Sequence, residues 1–173
     1  MACKCGATPV GHCPFCRSTL VSKDVEYGPL KFTTSSIVLL VGPPGAGKTT
    51  LGCNMLRALS GYVLGNEMAS YDAWNLRTIK TLPHTGNVLI DSLETIKIPK
   101  MLRRRQGITL GIARLNAEGG LFGGLADGYD ADVVLSINKE KKTVDLFKSR
   151  YQADGISFGY EIDWPDFHIG EIA

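Results

Sequence analysis

Five consecutive apolar residues, Ile37-Val38-Leu39-Leu40-Val41, run into Gly42. A run this short, with no polar position, predicts a strand buried on both faces, as in a parallel sheet. Over 48–60 the spacing becomes helical, with Leu51, Met55 and Leu59 at i, i+4 and i+8 and Gly61 as the stop. The alternation then continues: a strand over 62–64, a second helix over 70–80, a strand over 88–90, a short third helix over 100–106 and a strand over 108–113. Residues 132–137 and 143–150 flank the polar turn Asn138-Lys139-Glu140-Lys141-Lys142 and predict a hairpin, with a last strand over 156–162. Upstream, 19–35 carries no long periodic apolar stretch and contains Gly28-Pro29, which predicts a linker. The fold class expected is α/β, with a sheet parallel at its centre and antiparallel at one edge. The expected organisation is a small module over 1–18, the linker over 19–35 and one core over 36–173. Neither an internal repeat nor a low-complexity segment is visible.

Composition narrows the class. The 173 residues are 44% hydrophobic and 21% charged, which excludes a disordered tail and a collagen-like repeat. A formal net charge of +2 does not by itself point to nucleic acid, so local patches must decide. No apolar run approaches the roughly 18 residues of a membrane span, and the first residues lack a charged-then-apolar signal. A cytoplasmic protein with no membrane partner is expected. Four of the five cysteines, Cys3, Cys5, Cys13 and Cys16, crowd the first sixteen residues while Cys53 stands apart, a skew that argues against a disulfide framework. Their spacing, C-x-C, seven residues, then C-P-x-C, can aim four thiolates at one tetrahedral zinc, whose ligation would supply folding energy to a segment too short for a core. His12 could replace one thiol; unliganded thiols and disulfides are the alternatives.

The strongest chemistry lies in Gly42-Pro43-Pro44-Gly45-Ala46-Gly47-Lys48-Thr49, which fits G-x-x-x-x-G-K-[ST] between the predicted strand and helix. The glycines let successive backbone N–H groups turn toward phosphates, and the helix presents its positive N-terminal end, with Thr49 and Thr50 in the first turn, to the same anion. ATP is the expected ligand, Lys48 reaching its β- and γ-phosphates and the Thr49 hydroxyl ligating magnesium. Asp91, closing the run Val88-Leu89-Ile90, is the second magnesium anchor, expected on a neighbouring strand. Ser92 follows it, so the catalytic base must come from elsewhere; Glu67, just beyond the 62–64 strand, is placed to deprotonate the attacking water.

Taken in order, the cysteine knuckles, short linker, P-loop, Glu67, Asp91-Ser92 and the late Lys148-Ser149-Arg150-Tyr151 resemble the bacterial RadA/Sms family of RecA-core ATPases. Matching phrases are Cys13-Pro14-Phe15-Cys16, Gly65-Asn66-Glu67-Met68 and Lys148-Ser149-Arg150-Tyr151-Gln152. Asn66-Glu67-Met68 is also similar to DnaB-type replicative helicases, which share the RecA core. The resemblance implies a P-loop NTPase with a RecA-like core, preceded by a zinc knuckle and without the family's Lon-protease-like C-terminal domain. Ala117 stands where the family has a lysine. A minimal core of this kind also resembles short phage annealing proteins.

The function the resemblance implies is ATP-dependent DNA recombination or repair: single-stranded DNA binding with ATP hydrolysis at subunit interfaces of a hexameric ring or filament. In those relatives the residues matching Lys148 and Arg150 reach the neighbour's γ-phosphate. Charge segregation fits DNA binding, because six cations (Lys97, Lys100, Arg103, Arg104, Arg105, Arg114) and no acids lie between Ile96 and Ala117. A glycine-rich loop follows, in which Phe122 could stack on a base. A solvated helix face is the bland alternative. Two other function classes stay open, a P-loop small-molecule kinase and a non-catalytic ATP-binding assembly factor.

Overall fold

The structure, a computed structural model, describes residues 11–12, 19–20, 23–65, 68–91, 102, 105–114 and 131–170. Two pieces lie ahead of the core. Strands β1 (Gly11–His12) and β2 (Thr19–Leu20) pair antiparallel, as do β3 (Asp24–Tyr27) and β4 (Leu30–Thr33). The core then runs through β5 (Ile37–Gly42), helix α1 (Lys48–Leu59), β6 (Gly61–Leu64), a 3₁₀ helix (Met68–Trp74), β7 (Arg77–Ile79), β8 (Asn87–Ile90), β9 (Thr109–Arg114), β10 (Val133–Asn138), β11 (Thr143–Ser149), β12 (Ile156–Asp163) and β13 (Asp166–Gly170).

Nine of these strands form one mixed sheet in the order β13-β12-β11-β10-β5-β9-β8-β6-β7. From β10 to β7 every neighbouring pair is parallel; β10 to β13 form an antiparallel meander joined by short turns. Long connections serve the parallel half and tight ones the antiparallel half, as the two ladder types require. All six residues of β5 are buried, and alternate ones feed two clusters. Val38 and Leu40 join Leu51, Met55 and Leu56 of α1, while Ile37, Leu39 and Val41 face Val88, Ile90, Ala113 and Val134 on the other side. Gly52 lets α1 lie close on the sheet, since a Cβ there would stand 2.8 Å from Leu89 Cδ1 and 3.2 Å from Leu40 Cδ1. Among the described residues α1 is the α-helix that packs on the sheet, and none is long and apolar enough to cross a membrane.

Two expectations are corrected. The segment read as a linker holds the β3–β4 hairpin, and its Leu30 and Phe32 are 1% and 2% exposed within the main core. The Gly28-Pro29 pair is the turn of that hairpin, Gly28 at φ 54, and the alternation of Val25, Tyr27, Leu30 and Phe32 is its buried face. Four-residue strands are too short for that alternation to stand out. The helix expected over 70–80 is instead a 3₁₀ turn followed by a strand. Tyr71 and Trp74, three apart, share one buried face as 3₁₀ geometry demands, and Asn75 at φ 54 ends the turn. Thr78 and Ile79, both β-branched, then extend the sheet beside β6. The helix expected over 100–106 lies mostly outside the described residues. Strand β13 extends the sheet one strand further than the pattern suggested.

Replacing Phe32 by Ala should lower the unfolding free energy in urea by about 3–5 kcal/mol, the cost of emptying a core aromatic site. A loss below about 0.5 kcal/mol, as at an ordinary surface position, would restore the linker reading.

Candidate functional site

The chain leaves the carboxyl end of β5 as the loop 42–47 and enters α1 at Lys48. From β5 the chain goes on to β6, three strands away in one direction along the sheet, whereas β9, beside β5, is followed by β10, two strands away in the other direction. Such a switch point is where open α/β sheets form their ligand crevice. Gly47 caps α1 at φ 90 and ψ 16, a left-handed conformation that favours glycine. A Cβ there would also stand 2.7 Å from Ile162 Cδ1 and 3.2 Å from Phe167 Cε2, so the β12–β13 hairpin closes directly on the loop. Gly42 is equally confined, its would-be Cβ lying 2.7 Å from the Ile137 carbonyl oxygen. Lys48 is buried, and its ammonium donates to the carbonyls of Gly42 (2.8 Å) and Pro43 (2.6 Å), which places the charge inside the loop's curve. No acidic side chain occupies the first turn of α1, where Thr49 and Thr50 are half-buried. A loop of this shape, with a cation inside and a helix N-terminus behind it, fits a phosphate chain.

Asp91 follows β8, with β9 between its strand and β5, so it stands two strands from the P-loop strand and not on the adjacent one. That is about 9–10 Å at ordinary strand spacing. Helix α1 spans this gap, as the packing of Gly52 against both Leu40 and Leu89 requires. Asp91 lies near enough to Cys53, on the buried side of α1, to help hold its thiol protonated; burial is the larger cause, and together they push Cys53 up to about 12. One carboxylate oxygen of Asp91, Oδ2, accepts the Tyr71 hydroxyl at 2.6 Å. Tyr71 did not figure among the sequence-derived candidates, because nothing local to it signals the contact.

Two further groups share this carboxyl edge. Arg114 ends β9 in register with Gly42, which places it beside the P-loop. At the carboxyl end of β10, Pro43 and Pro44 face Ser136, Ile137, Asn138, Lys139 and Glu140 across a cleft of about 380 Å³. Lys139 leans toward the loop, its Nζ 3.7 Å from where a Cβ on Gly45 would lie.

The remaining candidates fall elsewhere. Arg105 is corrected: read as a DNA contact, it is 4% exposed and its guanidinium is spent on Pro83 O (2.7 Å), Thr109 Oγ1 (2.6 Å) and Gly86 O (2.6 Å). Burial lowers its pKa to about 10, still well above neutrality, so it is a structural cation stapling the β8 approach to β9. Lys148 pairs in register with Val134, whose other neighbour is Leu39 of β5. Arg150 lies just past β11, its Nε 3.2 Å from Oδ1 of the buried Asp132, whose Oδ2 accepts the Ile37 N–H at 2.8 Å. Arg150 therefore sits where β5 begins and the P-loop where β5 ends, about 17 Å apart at the usual rise per residue. It cannot reach its own P-loop. Strand β11 ends at Ser149, so Arg150 lies past the strand alternation that fixes the face of Lys148. Tyr151 is structural as well, its hydroxyl 3.3 Å from Thr33 Oγ1 and 3.1 Å from Ser36 Oγ.

Glu67, Arg103, Arg104, Phe122 and the four zinc candidates Cys3, Cys5, Cys13 and Cys16 lie outside the described residues. Among the described residues no group of three or more His, Cys, Asp or Glu could hold a metal ion. No family model matches the chain, and no curated protein matches it.

Substituting Arg105 by Ala should cost about 2 kcal/mol or more of stability in urea, since three acceptors lose a charged donor. The same variant should leave the salt dependence of single-stranded DNA binding unaltered; a slope reduced by about 0.7 would mean that Arg105 does meet a phosphate.

Proposed function

We propose that the chain is an ATP-hydrolysing DNA recombination or repair protein built on a RecA-type core, active as a ring or filament on single-stranded DNA. The observation that carries this reading is the placement of the loop 42–47 at a sheet switch point, with the Lys48 ammonium inside it and Lys148 and Arg150 toward the other end of β5. A site so divided is completed when the far end of one subunit's β11, with Lys148 and Arg150, meets the next subunit's P-loop.

In this mechanism the loop N–H groups and Lys48 hold the phosphates, and the cleft between Pro43-Pro44 and Ser136–Glu140 takes the ribose and base. Thr49 and Asp91 would hold magnesium, which neutralises charge on the β- and γ-oxygens when bound. Glu67 orients the attacking water and takes its proton. Arg150 of an adjacent subunit approaches the γ-phosphate, where charge grows in the transition state; its side chain is 53% exposed despite the contact with Asp132. DNA binding rests on Arg103, Arg104, Arg114 and Phe122, with Arg105 withdrawn. The zinc knuckle rests on the spacing of Cys3, Cys5, Cys13 and Cys16. A cytoplasmic location belongs to the same reading.

ATP hydrolysis measured with and without single-stranded DNA tests the whole proposal. Stimulation is expected; phosphorylation of a small molecule without stimulation would mean a kinase, and no turnover an assembly factor. Lys48→Ala should abolish turnover, and Glu67→Gln should slow it by about 10² or more while ATP still binds. Arg150→Ala should cost about 10³ or more. A mixture of Lys48→Ala and Arg150→Ala chains should recover activity above either parent, because each carries the half-site that the other lacks. Co-assembled mixtures that stay inactive would overturn the shared site.

A further inference from the structure

Asp91 is tied to the chain on both sides of Glu67. The Asp91 N–H donates to the Leu64 carbonyl at 3.1 Å, and the Tyr71 hydroxyl donates to Asp91 Oδ2 at 2.6 Å. Tyr71 is 1% exposed, so its ring is fixed by packing and its hydroxyl has little room to swing. Gly65 completes the arrangement: a Cβ on it would lie 2.8 Å from the Tyr71 hydroxyl and 3.5 Å from Asp91 Cβ. The close approach of phenol and carboxylate thus depends on the missing side chain at 65.

We propose that Tyr71 is a positioning residue for the magnesium anchor: its hydroxyl commits Oδ2 of Asp91 and so turns Oδ1 toward the metal side of the site. The inference rests on the reading of Asp91 as that anchor. A short bond from a neutral hydroxyl to an ionised carboxylate is a charge-assisted contact, strong enough to select one carboxylate rotation. Losing a residue that orients a ligand in this manner typically costs about 10- to 100-fold in metal affinity or activity. The arrangement also links metal to base, since the 3₁₀ helix that carries Tyr71 begins at Met68, directly after Glu67. Were the contact mere satisfaction of a buried hydroxyl, its loss would lower stability and leave metal recognition alone.

The test uses the full chain and a fluorescent ATP analogue, N-methylanthraniloyl-ATP, titrated in EDTA and in saturating magnesium. Its readout is the factor by which magnesium tightens binding. Tyr71→Phe keeps the ring and should cut that factor by about tenfold or more, with affinity in EDTA unchanged. Gly65→Ala, which pushes the hydroxyl off Asp91 while leaving both residues in place, should do the same, and the double variant should do no more than either single one. Full magnesium tightening in Tyr71→Phe, whatever its melting temperature, overturns the proposal; if that variant does not fold, full tightening in Gly65→Ala overturns it. Asp91→Asn separates the two levels: loss of tightening there beside normal tightening in Tyr71→Phe spares the anchor and removes the positioner. Normal tightening in Asp91→Asn removes the anchor, and the inference with it.

Discussion

The carboxyl edge is positioned by β5, which has no side open to water. Its six residues are buried, β10 and β9 bond its two edges, and apolar clusters cover its two faces. Each large apolar side chain so enclosed contributes about 1.5–3 kcal/mol. The start of the strand is pinned as well: Asp132, 3% exposed, accepts the Ile37 N–H and is neutralised by Arg150. A strand held at its start, edges and faces delivers the loop 42–47 at one fixed point and angle, the preorganisation that the proposed phosphate site needs.

The antiparallel meander does more than widen the sheet. Its last hairpin folds back over α1, where Asn54 and the Trp74 indole both donate to the Pro165 carbonyl, at 2.8 and 2.7 Å. Arg57 pairs with Asp166, and Trp74 meets Trp164 edge to face at 6.0 Å. Ile162 and Phe167 of the same hairpin press on Gly47. One hairpin thereby touches the loop 42–47, the helix behind it and the 3₁₀ helix that follows Glu67.

Three buried charges show how the molecule meets the cost of desolvation. Lys48 rests on the carbonyls of Gly42 and Pro43, both in the loop that precedes its helix. Arg105 is held by three acceptors drawn from the β8 approach and from β9 and is 4% exposed, so its charge is turned inward to permanent partners. Asp132 is divided between a backbone N–H and a half-exposed arginine. The chemistry of a buried charge follows from whether its partners are permanent, since a buried ion without any partner would not stay ionised.

Much of the core could be read directly. The run 37–41, the 48–60 helix, the short strands at 62–64, 88–90 and 108–113 and the hairpin around Asn138–Lys142 all lie within two residues of where spacing put them, because each is specified by neighbours a few positions away. The loop 42–47 was legible for the same reason, its glycines and lysine being adjacent in sequence. What local pattern could not decide were contacts between distant segments. Arg103, Arg104 and Arg105 are chemically alike in sequence, yet Arg105 is buried, because Pro83 and Gly86, 22 and 19 positions away, supply two of its acceptors. Leu30 and Phe32 are core residues because the folded chain brings their hairpin into the main cluster, where Tyr27 donates to the Phe167 carbonyl at 3.4 Å and the Lys31 N–H to Gln152 Oε1 at 2.6 Å, both more than 100 residues downstream. Tyr71 and Asp91 stand 20 residues apart and bond only because β6 and β8 lie side by side. The sequence by itself determined which residue types and turns were available. Strand order and packing decided which of them face water, a ligand or one another, since those depend on who the neighbours are in space.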